Sequence, residues 1–471
     1  MRATLVSLSP TQAATDAARP ALTPELLAAT GARYSRSNEG LEAILSKIDP
    51  SNPDKSVDSI FRFIDYGHAS VADMVPVAIF MDGISLWLAY HLWSLCPLAG
   101  GQESSTRYIR LSSDNLPDPG DIGIPIESQG QWRDAMNSAL GAYEQAVAFW
   151  EDYAAKHPGA TRVPSSLLDD DSDKAQKTVA RMKRNFAFDR ARYFLPAALQ
   201  TNVMMIQSAR AWVALCQQLL SHPLPEPRKL GVLIRDELAL VTPRLIKHAT
   251  AQPAFEKALK DEEANQQEIT DCFDVTSSMT EAEARPILRV LHWHDPQELH
   301  HVVRADKDAD KRFALDLEFH DNRYGHFGSA LQMTGVCFGW AGVALAELRD
   351  LNRHRTGSKF VSWNPVGFYG AKDQAPDDEQ LAPLVQIGER LTLQAAQTQA
   401  QSGGVYWFLL GAQFPFQHTT TADKFIYEAE LRTGVGAHYR YAKHLHDVLE
   451  LWYERFPSTR GLILEGSAEP E

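Results

Sequence analysis

The chain has 471 residues, more than one ordinary domain needs, and its 44% hydrophobic and 23% charged content is that of a globular protein with two or three cores. A formal charge of -14 excludes a broad nucleic-acid or anionic-membrane surface, but leaves room for a local arginine cluster that takes a small phosphorylated ligand. The opening MRATLVSLSPTQAATDAARP has no continuous apolar run of the secretory kind, so the expected location is cytoplasmic.

In chain order, MRATLVSL reads as a strand, and residues 56–66 read as a helix stopped by Gly67. The longest apolar stretch, 74–96, is interrupted by Asp82 and His91; it predicts a buried core helix over about 71–93 rather than a membrane span. Residues 100–111, GGQESSTRYIRL, read as a polar loop ending in a strand, and 131–157 as a long amphipathic helix. Residues 158–174 are a solvated connection, and 202–220 and 228–248 two further helices. After His248 the chain turns polar and acidic to about 280, the best candidate for a linker. The plan then repeats: a strand at ARPILRVLHW, a helix near 311–319, Gly325-His326, a long helix to about Leu351, a loop to Gly370, a helix over 379–401, and a last pair of segments ending near Phe456. GHASVADMVPVAIF sets against GHFGSALQMTGVCF without a gap, with four identities, and the matching order of elements on either side points to a tandem repeat.

Alternation along Gln102-Glu103-Ser104-Ser105-Thr106-Arg107-Tyr108 would put Glu103, Ser105 and Arg107 on one side of an extended segment: an acceptor, a hydroxyl and a guanidinium fork, suited to a phosphorylated ligand with a polar ring. A polar turn with a surface ion pair explains the same residues. Arg353-His354-Arg355, at the end of an apolar helix, suits an anion or an electron-rich ring, or simply a helix C-terminus. Arg192 lies in the apolar ARYFLP and must find a partner there; Arg210, and Arg432 followed by Ala437-His438-Tyr439, complete the set. Cys96, Cys216, Cys272 and Cys337 form no close pair and read as buried thiols. His292, His294, Asp295, His300 and His301 fit no metal template by spacing, so no metal is expected.

Taken in order, these pieces resemble the flavin-dependent thymidylate synthases, whose signature is RHRxxSxNExSxRY, with a GHxS-like turn before it and ARxxLP, NAR and a late LR after it. The first half carries Gly67-His68-Ala69-Ser70, the QESSTRY segment, Ala191-Arg192 to Leu195-Pro196, and Ser208-Ala209-Arg210. It has Leu95-Cys96-Pro97 where RHR would fall and Leu219-Leu220 near the late LR. The second half has Arg353-His354-Arg355 and Leu431-Arg432 but lacks NExSxRY near 360–368, and its ARxxLP position, about 406–411, has no arginine. Each half lacks what the other supplies.

The resemblance implies an α+β fold of two tandem domains, helices on a small sheet in each: residues 1–245 for the nucleotide, a linker over 246–284, and 285–471 for the flavin. It implies FAD-dependent methylation of a pyrimidine nucleotide, dUMP to dTMP, with NADPH and methylenetetrahydrofolate as co-substrates. Glu103, Ser105, Arg107, Arg192 and Arg432 would hold nucleotide; His68, Ser70, Arg210, Arg353, His354 and Arg355 would hold flavin. Arg353 and Arg432 would stand nearest the chemistry. It also implies a homodimer imitating a tetramer, with no nucleic-acid polymer or membrane as partner. Three departures stand out: Gln102 for Asn, Ser208 for Asn, and Asp350 for a Gln that contacts nucleotide. They leave open a different pyrimidine nucleotide, or a scaffold that has lost catalysis.

Overall fold

The computed structural model describes residues 1–61, 70–107, 109–259, 261, 279–291, 308–399, 402–434 and 436–466. Its main elements in chain order are β1 (Arg2–Val6), α1 (Pro24–Tyr34), α2 (Pro53–Phe61), β2 (Pro76–Ser85), α3 (Leu86–Leu95), β3 (Gly100–Glu103), α4 (Gln129–Lys156), α5 (Asp173–Ala191), β4 (Gln200–Ser208), α6 (Ala209–Ser221) and α7 (Pro225–Leu238). There follow β5 (Pro286–Leu291), α8 (Ala309–Leu317), β6 (Gly335–Ala344), α9 (Leu345–Leu351), β7 (Ser358–Val361), β8 (Gly367–Phe368), α10 (Ala382–Thr398), β9 (Ala412–Thr421), α11 (Ala422–Arg432) and α12 (Tyr439–Arg455). This is the expected α+β class: helices with two small antiparallel sheets.

The chain packs as two compact units that interleave along the sequence. The first is Met1–Ser104, Asn115–Ile124 and Leu199–Ala264; the second is Ser105–Asp114, Pro125–Ala198 and Asn265–Glu471. The strands of each sheet do come from one half of the sequence, 2–208 or 286–421. Packing, however, assigns α4, α5 and the ARYFLP turn to the second unit, and with them two of the arginines that the sequence order groups with the first half.

The first sheet has the order β1-β2-β4-β3 and the second β5-β6-β9-β7, with β8 also on β9. Both central hairpin partners bulge near their ends, β2 between Asp82 and Ile84 and β6 between Trp340 and Val343. Ala209 N–H donates to the Val75 carbonyl in one sheet, and Ala422 N–H to Thr334 in the other, each at 2.8 Å. The helix-capping residues Ser85 and Ala344 pair with Gln200 and Gln413. These bonds set Val75 against Thr334, one residue away from the ungapped alignment. In this register Arg353-His354-Arg355 correspond to Ser94-Leu95-Cys96, and Arg432 to Leu219.

Three helices expected from the sequence are strand followed by helix. The stretch 71–93 is β2 and the start of α3, 202–220 is the end of β4 and α6, and the long helix to Leu351 is β6 and α9. All ten residues of β6 are buried, so that strand has apolar side chains on both faces and no period-two signal. The strand expected through Glu103, Ser105 and Arg107 ends at Glu103; beyond it the chain turns, with the Ser105 hydroxyl accepting from Arg107 N–H at 3.2 Å.

Within the second unit the ARYFLP turn is held by a short antiparallel pairing. Gly411 and Leu410 N–H donate to the Tyr193 and Leu195 carbonyls, and Ala197 N–H to Phe408, around a bridge between Pro196 and Leu409. The segment that stands where the second half would have its own ARxxLP is therefore the partner of the first. A Cβ on Gly411 would meet the Tyr369 and Tyr193 carbonyl oxygens at 2.6 and 2.8 Å. Gly411→Ala should lower unfolding stability by about 1–3 kcal/mol, read by urea denaturation; unchanged stability would mean this pairing does not fix the turn.

Candidate functional site

The pairing delivers Arg192 to the start of a buried network. Arg192, at 2% exposure, donates Nη2–H to Asp350 Oδ2 at 3.0 Å and lies 3.9 Å from Glu347 Oε1. Asp350 and Glu347 share one face of α9, one turn apart. The other oxygen of Asp350 meets Arg353 Nη2 at 3.1 Å. Burial opposes charge on Asp350, but Arg192, Arg353, Arg107 and Arg432, in falling order, hold its carboxyl far below the usual range. Two guanidiniums, those of Arg192 and Arg353, thus take the two oxygens of one carboxylate.

Arg107 is a fork on Asp189, Nε and Nη2 each 2.7 Å from a carboxylate oxygen, and its Nη1 donates to the Gly436 carbonyl at 3.3 Å. Asp189 lies on α5, three residues ahead of Arg192, and its carbonyl meets His438 Nε2 at 3.3 Å. Arg432 Nε donates to His354 Nε2 at 2.7 Å, so the histidine is neutral and an acceptor. Burial is the main cause, with Arg432, Lys359 and His418 adding to it, and the imidazole is pushed down to about 3. Glu428, one turn before Arg432 on α11, is held down to about 2: burial opposes its charge, and its surroundings, Lys359 among them, overcome this. His418 Nδ1 lies 3.2 Å from it, and His418 Nε2 donates to the Thr356 carbonyl at 2.8 Å.

Of the residues expected at the site, Ser105, Arg107, Arg192, Arg353, His354, Arg355 and Arg432 all belong to the second unit. The contacts above form three groups in it: Arg192 and Arg353 on Asp350, Arg107 on Asp189, and Arg432 on His354. Glu103, Ser70 and Arg210 belong to the first unit, where Arg210 and the Ser208 hydroxyl both reach Asp73, at 2.8 and 3.2 Å. His68, Tyr108, Cys272 and the histidine-rich stretch lie outside the described residues. Cys96, Cys216 and Cys337 are buried free thiols. No described helix is long and apolar enough to cross a membrane.

Sequence reasoning missed Asp189, Glu347 and Glu428. Each is an acid at helical spacing from a residue of the cluster, and that spacing was the available signal. Glu347 is fully buried, accepts from Tyr193 Oη at 2.7 Å and from Ala344 N–H at 3.1 Å, and is raised to about 7, chiefly by burial. A carboxyl raised in this way adds stability in full below its unfolded value of 4.5 and loses it as pH rises through about 7. Wild type should lose roughly 3 kcal/mol across that window, and Glu347→Gln should flatten the slope. Urea unfolding at successive pH values checks this; equal slopes in the two proteins would remove Glu347 as its source.

Residues 20–244 match the sequence model of the family described as thymidylate synthase complementing protein. A UPF0159 protein of Thermoplasma acidophilum is 24% identical over 237 residues, 47% of this chain and 48% of that protein. A flavin-dependent thymidylate synthase of Mycobacterium sp. strain KMS is 25% identical over 183 residues, 39% of this chain and 65% of that protein. The chain spans about half the length of the UPF0159 relatives it matches. A crystal structure of the UMP/dUMP methylase PolB from Streptomyces cacaoi, bound with 5-Br dUMP, aligns at 16% identity and a TM-score of 0.31, covering 52% of this chain and 93% of that one.

Proposed function

Since the matched part of the chain, residues 20–244, belongs to the thymidylate synthase complementing protein family, we propose that the protein methylates a pyrimidine nucleotide, dUMP to dTMP, with FAD, methylenetetrahydrofolate and NADPH. The observation that carries this reading is the charge of the cluster. Four guanidiniums, on Arg107, Arg192, Arg353 and Arg432, are set against two aspartates, Asp189 and Asp350. Arg432 rests on a neutral imidazole and Arg353 shares Asp350 with Arg192. The surplus matches a phosphate monoester dianion, which a guanidinium fork recognises well.

In this reading Arg432, Arg353, Arg192 and Arg107 take the nucleotide, with Ser105 beside them. His354 holds Arg432 by accepting from Nε, which leaves both terminal nitrogens of Arg432 for the ligand. Arg353, whose side chain is 53% exposed, and Arg355 are donor-only groups that fit the acceptor-rich edge and diphosphate of a flavin. Bound flavin would supply the redox step that turns a transferred one-carbon unit into a methyl group. The protein's share is to neutralise phosphate and fix ring orientation. A homodimer with one FAD per chain is the assembly proposed, each chain holding one complete arginine set.

Arg432→Ala strands no buried carboxylate, so it is the clean probe. Calorimetric titration with dUMP should show affinity about ten- to a hundred-fold weaker; an unchanged dissociation constant overturns the nucleotide assignment. Arg353→Ala with Arg355→Ala should abolish the visible flavin spectrum. Arg107 and Arg353 belong to one unit of one chain. Mixing inactive Arg107→Ala and Arg353→Ala chains should therefore restore nothing, and recovered turnover would mean a site shared between chains.

One observation favours a second reading, a different pyrimidine as substrate. Asp350 is an ionised acceptor at the centre of the cluster, and an acceptor suits the amino group of cytosine better than the carbonyl of uracil. Tighter binding of dCMP than dUMP in the same titration decides for it.

A further inference from the structure

Ahead of β6 the second unit carries a turn that the ligand reading does not use. After α8 the chain reverses over residues 319–325. His320 N–H donates to the Leu317 carbonyl at 3.0 Å, Tyr324 N–H to the Asn322 side-chain oxygen at 3.0 Å, and Gly325 N–H to the Asn322 carbonyl at 2.8 Å. The turn is fastened to α11, because His320 Nε2 reaches both oxygens of Glu430, at 2.9 and 3.0 Å, in a pair closed to solvent. Glu430 stands two residues before Arg432. The His320 ring also lies on that of Phe327, with 4.3 Å between centroids.

Two side chains of this fixed turn are left over. Arg323 is half-buried, and among the described residues its guanidinium has no ion pair and no hydrogen bond. The acid two residues before it, Asp321, accepts from Asn322 Nδ2 instead, at 2.8 Å. The guanidinium lies against Gly434, where an added Cβ would stand 2.9 Å from Arg323 Cζ and 3.0 Å from Nη2. Glycine leaves the room that the guanidinium fills, two residues past Arg432 and at most about 7 Å from it along the chain. Tyr324 is 80% exposed. Its ring is 6.4 Å from that of Tyr427, which in turn is 6.2 Å from His354. A flat ring and a seated guanidinium therefore adjoin the arginine cluster.

We propose that Arg323 and Tyr324 hold the adenosine diphosphate moiety of a dinucleotide cofactor, the guanidinium taking its diphosphate and the tyrosine ring stacking on its adenine.

A guanidinium is a rigid fork of donors that can take two phosphate oxygens at once. Arg323 is placed for this in advance. Its turn is locked through His320, its guanidinium already rests on Gly434, and no carboxylate has to be displaced before a phosphate binds. Arg107, Arg192 and Arg353, by contrast, already hold aspartates. A tyrosine face takes an adenine by stacking, which needs no hydrogen bond from the protein and covers a ring that the fold leaves in water. FAD and NADPH both carry this moiety, and the choice of a dinucleotide rests on the function proposed above.

The test is calorimetric titration of the full chain with ADP, without dUMP or flavin. ADP should bind the wild type, and Arg323→Ala and Tyr324→Ala should each bind it about ten-fold more weakly, or weaker still. Gly434→Ala keeps the guanidinium but takes its seat, and should weaken ADP likewise; it serves as the probe if circular dichroism finds Arg323→Ala unfolded. FAD and NADPH are then titrated separately into wild type and Arg323→Ala, and the dinucleotide whose affinity falls is the one held here. The site is overturned if ADP does not bind the wild type, if a folded Arg323→Ala binds it equally well, or if neither dinucleotide loses affinity. Failure of dUMP to bind leaves these titrations untouched and counts only against the nucleotide reading.

Discussion

The arrangement depends on one short backbone contact, the antiparallel pairing of residues 193–197 with 408–411. It is built from three hydrogen bonds about a proline. Pro196 has no N–H to donate, and the ladder is satisfied by Ala197 instead. The contact passes between two segments that stand at corresponding places ahead of β4 and β9. It fixes the turn carrying Arg192 and Tyr193 beside α9, which carries Glu347, Asp350 and, just beyond its end, Arg353. Residues far apart in sequence become one electrostatic object because two lengths of main chain share their hydrogen bonds.

The rest follows from the cost of burying charge. Arg192 is buried and must be paired, so Asp350 is ionised; Asp350 then holds Arg353 as well. Glu347 is left with a longer approach to Arg192 and cannot be held ionised in the same way. One helix thus carries two carboxyls a turn apart with opposite tendencies, one kept charged and one open to protonation near neutrality. The same division recurs on α11, where Glu428 is balanced by His418 and Lys359 while Arg432 leans on an uncharged ring.

How much of this the sequence disclosed can be judged from particular residues. Arg107, Arg192, Arg353, His354 and Arg432 could be picked out because the resemblance names them. Their grouping in one compact unit could not, since nothing local says that α4 and α5 pack with the second sheet. β6 was read as helix because a strand buried on both faces shows an apolar run without alternation; the outer face of β2 is partly exposed but carries the apolar Pro76 and Phe80, and each strand leads directly into an apolar helix. The ungapped alignment of the two GH segments stands one residue away from the register that the strand bonds give. In the corrected register the positions of Glu347, Glu428 and Arg432 are Leu88, Leu215 and Leu219, all buried in the first unit. The first half's counterpart of Arg432 is therefore a core position filled with leucine, whereas those of Arg353 and Arg355 are the exposed Ser94 and the buried Cys96.

The setting of this cationic cluster has a kinetic side. The chain carries a formal charge of -14, so a dianion approaching from a distance meets repulsion first and attraction only within a few ångströms of Arg353, the half-exposed member of the set. Such a site selects by contact, not by steering. Dissolved salt shortens the reach of the outer repulsion more than it weakens the desolvated inner contacts. Encounter rates for small anions should then hold steady or climb with ionic strength, the reverse of what a generally basic surface gives, while the lifetime of the bound state is set inside.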